Sequence, residues 1–404
     1  MLSRPYRLLG VVAAIVLCAL AIGACGGGGS SSSSSGSSTE EASSGGSSEA
    51  GGSEETGGAE EGGESADVAA AEKAVAEFTG KPSPFPVEEP LKEKMPSDTK
   101  ILYMQCGSPI CQLQWGMVEA AGKAMGVETK QIKAGSQASE VANAFDTAVA
   151  EEPDAVLVPA IEPSLFRTQL EELQANGVAV VTSGVVDPQE YGIETADFFR
   201  PSVEMTGKLL AAKAVAQKGD EANIAYYAVP ELAFIGVQQE AFEAEMENLC
   251  PECSVRVVDI PLSTVGNTAP NRMVSDLQQN PDTNFAVFST NEMAEGLPAA
   301  MKTAGIENVE TWGFGSTPAN LQDIKEGGLT GALEIDLPVD VWTYVDEAAR
   351  AILGQELSPA EKTGEPPVPD FQFLEGKDIT FNPEHGWTGY PEYEEKFAEL
   401  WSGK

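Results

Sequence analysis

From about residue 99 onward the chain repeats one pattern. A short run rich in β-branched and aromatic residues is followed by a turn, and then by a stretch whose apolar positions recur at helical spacing. Strands alternating with helices read as parallel sheets with helical crossovers. Strands are predicted near 101–104, 129–132, 155–158 and 178–182, and again near 224–228, 255–260, 285–289, 309–314 and 329–335. Nine such units exceed one comfortable sheet. The expectation is therefore an α/β protein of two doubly wound parallel-sheet lobes that face one another and enclose a ligand cleft at the carboxyl ends of the strands.

Charge narrows the functions such a body can have. The chain carries 63 Asp plus Glu against 24 Lys plus Arg, a net charge of -39. A surface this acidic repels phosphate backbones, so no nucleic-acid partner is expected. The single histidine, His385, leaves no second imidazole for a zinc site and few choices of general base. There is no GxSxG elbow. No GxxxxGK[ST] loop occurs either, because the TGK at Thr206–Lys208 lacks the leading glycine. No catalytic residue, metal or cofactor is expected, and the chain reads as a binding protein rather than an enzyme.

The first segment reads as an export address. Arg4 and Arg7 precede an apolar run over 8–22, too short for a comfortable membrane span, and Ile22, Gly23, Ala24 and Cys25 have the form of a bacterial lipobox. Residues 1–24 are assigned to a lipoprotein signal and Cys25 to lipidation, which places the mature protein outside the cytoplasm on a membrane it does not span. Residues 26–65 are Gly, Ser, Glu, Thr and Ala, without an aromatic or basic residue, and cannot form a core. A coil of this length reaches about 35 Å, so the stretch 25–66 is read as a tether. Residues 67–98 follow as a short amphipathic helix and a proline-rich lead-in.

Removing Cys18 with the signal and Cys25 to lipid leaves four cysteines. Exported proteins oxidise such pairs. Two local disulfides are expected, Cys106 with Cys111 and Cys250 with Cys253. A four-cysteine zinc site is the rival. A thioredoxin-like redox pair at CPEC is a third reading, disfavoured because Cys250 closes a helix rather than opening one.

Four passages carry a family resemblance. ILYMQ runs through Cys106, Gly107, Ser108 and Pro109 into a helix ending EAAGKAMG. The other three are AVLVPAIEPSLFRTQLEELQANGVAVVT, FAVFSTNEMAEGLPAAMKTAGI and WGFGSTPANLQDIKEGGLTGALEIDLP. In series they resemble the type I periplasmic-binding-protein-like receptors of the ribose-binding, sugar-importer branch, over roughly 99–354. The resemblance implies a monomeric receptor whose lobes close on a small molecule, most simply a sugar or polyol, and pass it to an ABC importer permease. A sensor of the same fold, or a receptor for an amine or nucleoside, is the alternative. It also implies three hinge crossings, near 197–200, 336–338 and 370–373. The lobes are then 99–197 plus 337–369, and 198–336 plus 370–404.

By position, the ligand-facing residues of the first lobe would be Cys106, Gly107, Ser108, Ile110 and Gln112, with Trp115 one turn further on. Ser136, Gln137, Pro159, Glu162 and Ser183 follow at later strand ends. The second lobe would supply Glu231, Phe234, Asn291, Glu292 and Ser316, and the hinge Asp336. The family's usual charged pairs are missing. Gly315 stands where sugar-binding relatives commonly have Asp, Ser183 and Gly184 stand where an Asp-Arg pair is common, and no Arg occurs between Arg200 and Arg256. The tail's Phe397, Leu400 and Trp401 share a helical face, which predicts a closing helix packed on one lobe.

Overall fold

The computed structural model describes residues 65–358, 361 and 371–403. The export signal, Cys25, most of the tether, and the segments 359–360 and 362–370 lie outside them. Among the described residues no helix is long and apolar enough to cross a membrane.

The first sheet comprises β1 (Lys100–Cys106), β2 (Glu128–Gly135), β3 (Ala155–Pro159), β4 (Ala179–Ser183) and β5 (Thr195–Asp197), in the order β2-β1-β3-β4-β5 and parallel throughout. Helices α2 (Pro109–Met125), α3 (Ala138–Ala150) and α4 (Arg167–Ala175) are its crossovers. The β3 run AVLVP is buried at every position, as a strand covered on both faces requires.

The second sheet has the order β11-β10-β9-β8-β6-β7. Its parallel members are β6 (Asn223–Ala228), β7 (Ser254–Asp259), β8 (Phe285–Phe288), β9 (Glu310–Phe314) and β10 (Gly331–Ile335). Strand β11 (Phe371–Glu375) closes the edge antiparallel to β10. Around it lie α5 (Arg200–Lys218), α6 (Ile235–Leu249), α7 (Ala269–Gln279), α8 (Leu297–Ala304) and α9 (Pro318–Glu326). Both sheets reverse strand order beside their first strand, between β1 and β3 and between β6 and β8, and so set up two crevices.

Strand β5 is absent from the sequence-based series because three residues, TAD, give no apolar run. The chain leaves it at Asp197 and enters the second lobe at Arg200. It returns at Asp336, whose side chain caps α10 (Leu337–Ile352) by accepting from the Val339 amide. Helix α10 is buried from Leu337 to Arg350 and packs on the first sheet, with the Tyr344 hydroxyl donating to the Val181 carbonyl.

Both chain ends cross the hinge as well. Helix α1 (Val68–Ala76) packs on the second lobe through Ala71 and Val75, whereas Val87, Leu91 and Met95 belong to the first lobe's core. The sequence reading assigns 370–404 to the second lobe, and the structure divides that stretch. Strand β11 stays with the second sheet, but α11 (Tyr393–Leu400) packs on the first lobe. The reason lies in the aromatic residues. Trp401 stacks on Trp342 of α10 at 5.1 Å, Tyr393 meets the same indole edge-on, and Phe397 fits between Phe85 and Trp342. At the crossing, Asp336 accepts from the Gly389 amide at 2.6 Å and from the Thr388 hydroxyl at 2.9 Å, and the Tyr390 hydroxyl donates to the Pro84 carbonyl.

The two cysteine pairs are joined within each lobe, Cys106 to Cys111 and Cys250 to Cys253. The four thiols therefore do not converge on one metal, and among the described residues no group of His, Cys, Asp or Glu is arranged to hold one. The closing helix should carry a large share of first-lobe stability. Trp401→Ala removes the stacked indole and its hydrogen bond to the buried Asp346, and is expected to destabilise the protein by about 3–5 kcal/mol in chemical denaturation.

Candidate functional site

The cavity between the lobes is built from strand ends. From the first sheet come Cys106 and Ser108 after β1, Pro159 and Ala160 after β3, and Ser183 and Gly184 after β4. From the second come Leu232 and Phe234 after β6, Thr290 and Glu292 after β8, Phe314, Gly315 and Ser316 at β9, and Glu334 and Ile335 at the end of β10. Ile110, Cys111 and Gln114 of α2 and the hinge residues Phe198, Leu337 and Asp340 complete it. About 90 Å³ is open to the centres of water molecules, which is room for one small molecule rather than a chain.

The lobes meet directly around this space. The Ile110 amide, in the first turn of α2, donates to Glu292 Oε2 at 2.8 Å. The first amides of a helix lack intrahelical acceptors and carry partial positive charge, so a carboxylate from the facing lobe is well placed there. Ser108, the α2 N-cap, also donates to Glu292. A side chain at Gly184 would touch the Phe234 ring at 3.3 Å, and one at Gly266 would touch Pro109 at 3.0 Å. Bare backbone is what lets the lobes approach this closely.

One wall is aromatic. Phe198 stacks on Phe314 at 5.2 Å and 10°, and Phe234 stands edge-on to Phe198 at 5.5 Å. Phe198 adopts φ +43° and Ala160 φ +50°, a region that side chains rarely occupy. Such backbone costs about 1–3 kcal/mol and gathers at sites where it aims a group. Here Asp197 accepts from the Phe198 amide at 2.9 Å and the Gly184 amide donates to the Phe198 carbonyl, holding the ring in the cavity.

Two other lining residues are buried acids. Glu334 is 3 % exposed, accepts from the Ser316 amide through Oε2 at 3.0 Å, and has no partner for Oε1. Glu292 is 1 % exposed. Burial pushes both carboxyls up to about 7. Among the described residues that line the cavity, none is Lys, Arg or His.

Of the residues chosen from sequence, Cys106, Ser108, Ile110, Pro159, Ser183, Phe234, Glu292 and Ser316 line the cavity. The others do not, each for a visible reason. Gln112 lies on the exposed face of α2, and Gln114, two residues on, turns inward instead and accepts from the Tyr103 hydroxyl. Gly107 is exposed, and Trp115 packs against Tyr103 in the first lobe's core. Ser136 and Gln137 form the N-terminus of α3, where Glu140 accepts from both amides. Glu162 accepts from the Tyr191 hydroxyl, and Glu231 from the Leu262 amide. Asn291 sits one layer behind the wall, donating to the Ser316 hydroxyl, and Asp336 is the hinge clasp.

Sequence reasoning passes over Phe198, Phe314, Glu334 and Asp340. A signal exists for Glu334, an acidic residue inside the otherwise apolar strand GALEI. Phe198 offers none, because its role depends on a left-handed backbone.

Residues 101–356 match the periplasmic binding protein domain family. No curated protein matches the chain. Several solved structures do. The 5-methylthioribose transporter solute-binding protein of Thermotoga lettingae is 16 % identical with a TM-score of 0.62, over 77 % of this chain and 99 % of that one. A carbohydrate transporter of Acidothermus cellulolyticus, in complex with myo-inositol, is 17 % identical with a TM-score of 0.58, over 76 % and 99 %. The glucose-galactose binding protein GanP of Geobacillus stearothermophilus is 17 % identical with a TM-score of 0.59, over 71 % and 100 %. At such identities the likeness shows the fold.

The raised carboxyls have a measurable consequence. A carboxyl with an ordinary value of 4.5 unfolded and about 7 folded holds a proton in the folded state that the unfolded chain has released. Its stabilising contribution is complete below about pH 4.5 and is lost as pH rises through 7. Each group is worth on the order of 3 kcal/mol. The melting temperature should therefore be several degrees higher at pH 5.5 than at pH 8. Glu334→Gln should reduce the difference without abolishing it, because Glu292 keeps its raised carboxyl.

Proposed function

The chain belongs to the periplasmic binding protein domain family, and from this we propose that it is an extracytoplasmic, lipid-tethered receptor that closes on a small solute and delivers it to an ABC importer. The observation that carries the reading is the cavity itself. Strand ends of both sheets line one enclosed space, and the Ile110–Glu292 hydrogen bond joins the lobes at its edge. Rotation about the hinge would break that bond and expose the space. Solute entry and capture then follow from one motion, and the closed pair of lobes gives a permease a surface that the open form lacks.

The family is one of binding domains rather than catalysts. In size the ligand matches the sugars and polyols named for the solved neighbours. Its shape would differ from a fully hydroxylated ring on one side. Phe198, Phe234 and Phe314 offer no hydrogen bonds, and each buried hydroxyl left against them would cost about 1–3 kcal/mol. A molecule with one apolar face and donors elsewhere suits the aromatic wall and the buried acids.

Membrane attachment rests on the sequence of the leader. The export signal and lipobox ending at Cys25, followed by a coreless tether, support a protein held at the membrane by acyl chains.

Two measurements test the reading. Small-angle scattering of the full chain in detergent should show a smaller radius of gyration with bound solute than without, and equal radii across a stabilising ligand would overturn closure. Replacing Cys25 with Ala should move the protein from the membrane fraction to the soluble one. Retention of Cys25→Ala in the membrane would remove the lipid anchor from the proposal.

A further inference from the structure

Resting on the receptor reading of the cleft, we infer that its ligand is a small organic cation, with an ammonium group held at Glu334 and an apolar body lying against Phe198, Phe314 and Phe234. Three independent observations support it.

The first is charge. Three carboxyl side chains line the cavity, Glu292, Glu334 and Asp340, and no Lys, Arg or His is among the described lining residues; Asp340 shares a hydrogen bond with Asp197, and Glu292 is held by the Ile110 amide and the Thr290 hydroxyl, which leaves Glu334 with an oxygen to spare. Glu295 adds a further negative charge near Glu292. An anion would enter against any charge on these groups, which burial keeps largely protonated until a ligand favours their ionised form. A cation is the one ligand charge that lowers the cost of the buried carboxylates.

The second is an unmet acceptor. Oε1 of Glu334 is buried and unpartnered, on a side chain whose other oxygen is already held by the Ser316 amide. The carboxyl is thus fixed in orientation by Ser316, its amide and hydroxyl both beside it, with Oε1 left to face a donor from the cavity.

The third is the aromatic corner. Two stacked rings and a third edge-on to them present π faces and edges in one small space. Cations are drawn to such faces, by about 2 kcal/mol or more when desolvated. The same rings leave hydroxyls without partners. Nearby, Thr290 donates to Glu292, while Gln114 and Ser316 accept from Tyr103 and Asn291.

The assignment has a distinctive pH signature. Beside Glu292 stand Glu295 and the uncharged Ser108, Ile110 amide and Thr290; beside Glu334 stands Ser316; Asp340, hydrogen-bonded to Asp197, lines the same cavity. Burial places the two glutamic acids at about 7 in the empty site. A bound cation favours their ionised forms, so binding releases protons and weakens as pH falls below 7. A neutral polyol has no such requirement.

Calorimetric titration and thermal shift of the full chain in detergent should compare choline with its neutral isostere 3,3-dimethyl-1-butanol, and phenethylamine with 2-phenylethanol. Myo-inositol and ribose complete the set. At least one cation should bind, with its neutral counterpart at least about 100-fold weaker and with Kd rising about tenfold per unit between pH 7 and pH 5.5. Glu334→Gln should weaken that cation by at least about tenfold, and Phe314→Leu should weaken it while keeping an apolar side chain. If Glu334→Gln fails to fold, the pH profile of the unaltered protein decides. Binding of myo-inositol or ribose without either cation would overturn the charge assignment and leave the receptor intact. Equal binding of a cation and its isostere, or a flat pH profile, would also overturn it. No stabilisation by any of the six would remove the cation and count against the receptor reading as well.

Discussion

A parallel sheet wound on both faces leaves the carboxyl ends of its strands uncovered where the strand order reverses, because the loops there diverge to opposite sides. This protein contains two such ends, and each covers the other. The rest of the structure follows from that arrangement. Crossings are needed to bring the sheets face to face, glycines at 184 and 266 let the backbones approach, and the first-turn amides of α2 find a carboxylate on the opposite lobe. Every polar group placed in this seam must be satisfied by the other lobe or by something that enters from outside.

The seam is asymmetric in its chemistry. The second lobe supplies Glu292, Glu334, Phe234 and Phe314, whereas the first supplies small residues, the Cys106–Cys111 bridge and the α2 amides. The second lobe thus holds most of the acidic and aromatic groups of the cavity. The first holds the groups that recognise closure. Phe198 belongs to neither sheet, since it sits in the crossing itself, and its ring can reach the cavity only while the crossing keeps its left-handed backbone. Ligand contact and hinge conformation meet in that one residue.

Much of this was legible in the residues, and the limits have physical causes. Buried parallel strands such as AVLVP announce themselves because both faces must be apolar, so two lobes could be counted before any coordinates. Loop positions after β1, β4, β6, β8 and β9 also identified Ser108, Ser183, Phe234, Glu292 and Ser316 as cavity residues. Register within a helix was harder. Gln112 and Gln114 are equally polar, and only the packing of α2 on β1 decides which one turns inward. Long-range pairing was hardest. Nothing local in the tail tells Phe397 and Trp401 that Trp342 waits on the first lobe rather than the second. Likewise Asp336 reads as a ligand group in sequence, and becomes a hinge clasp only once Thr388 and Gly389 arrive from fifty residues away.

The passage of both chain ends through the hinge changes how the molecule can move. The lead-in near Pro84 and the tail near Tyr390 lie beside the exit at Asp336, tied by the Tyr390–Pro84 and Gly389–Asp336 hydrogen bonds. Segments laid side by side bend together about a common axis with little relative sliding. Twisting one lobe against the other would shear them past one another and pull Asp336 off its donors. Torsional stiffness is therefore built into the joint by the termini. The lobes should swing like a door on a broad strap, with the opening angle as their one soft coordinate.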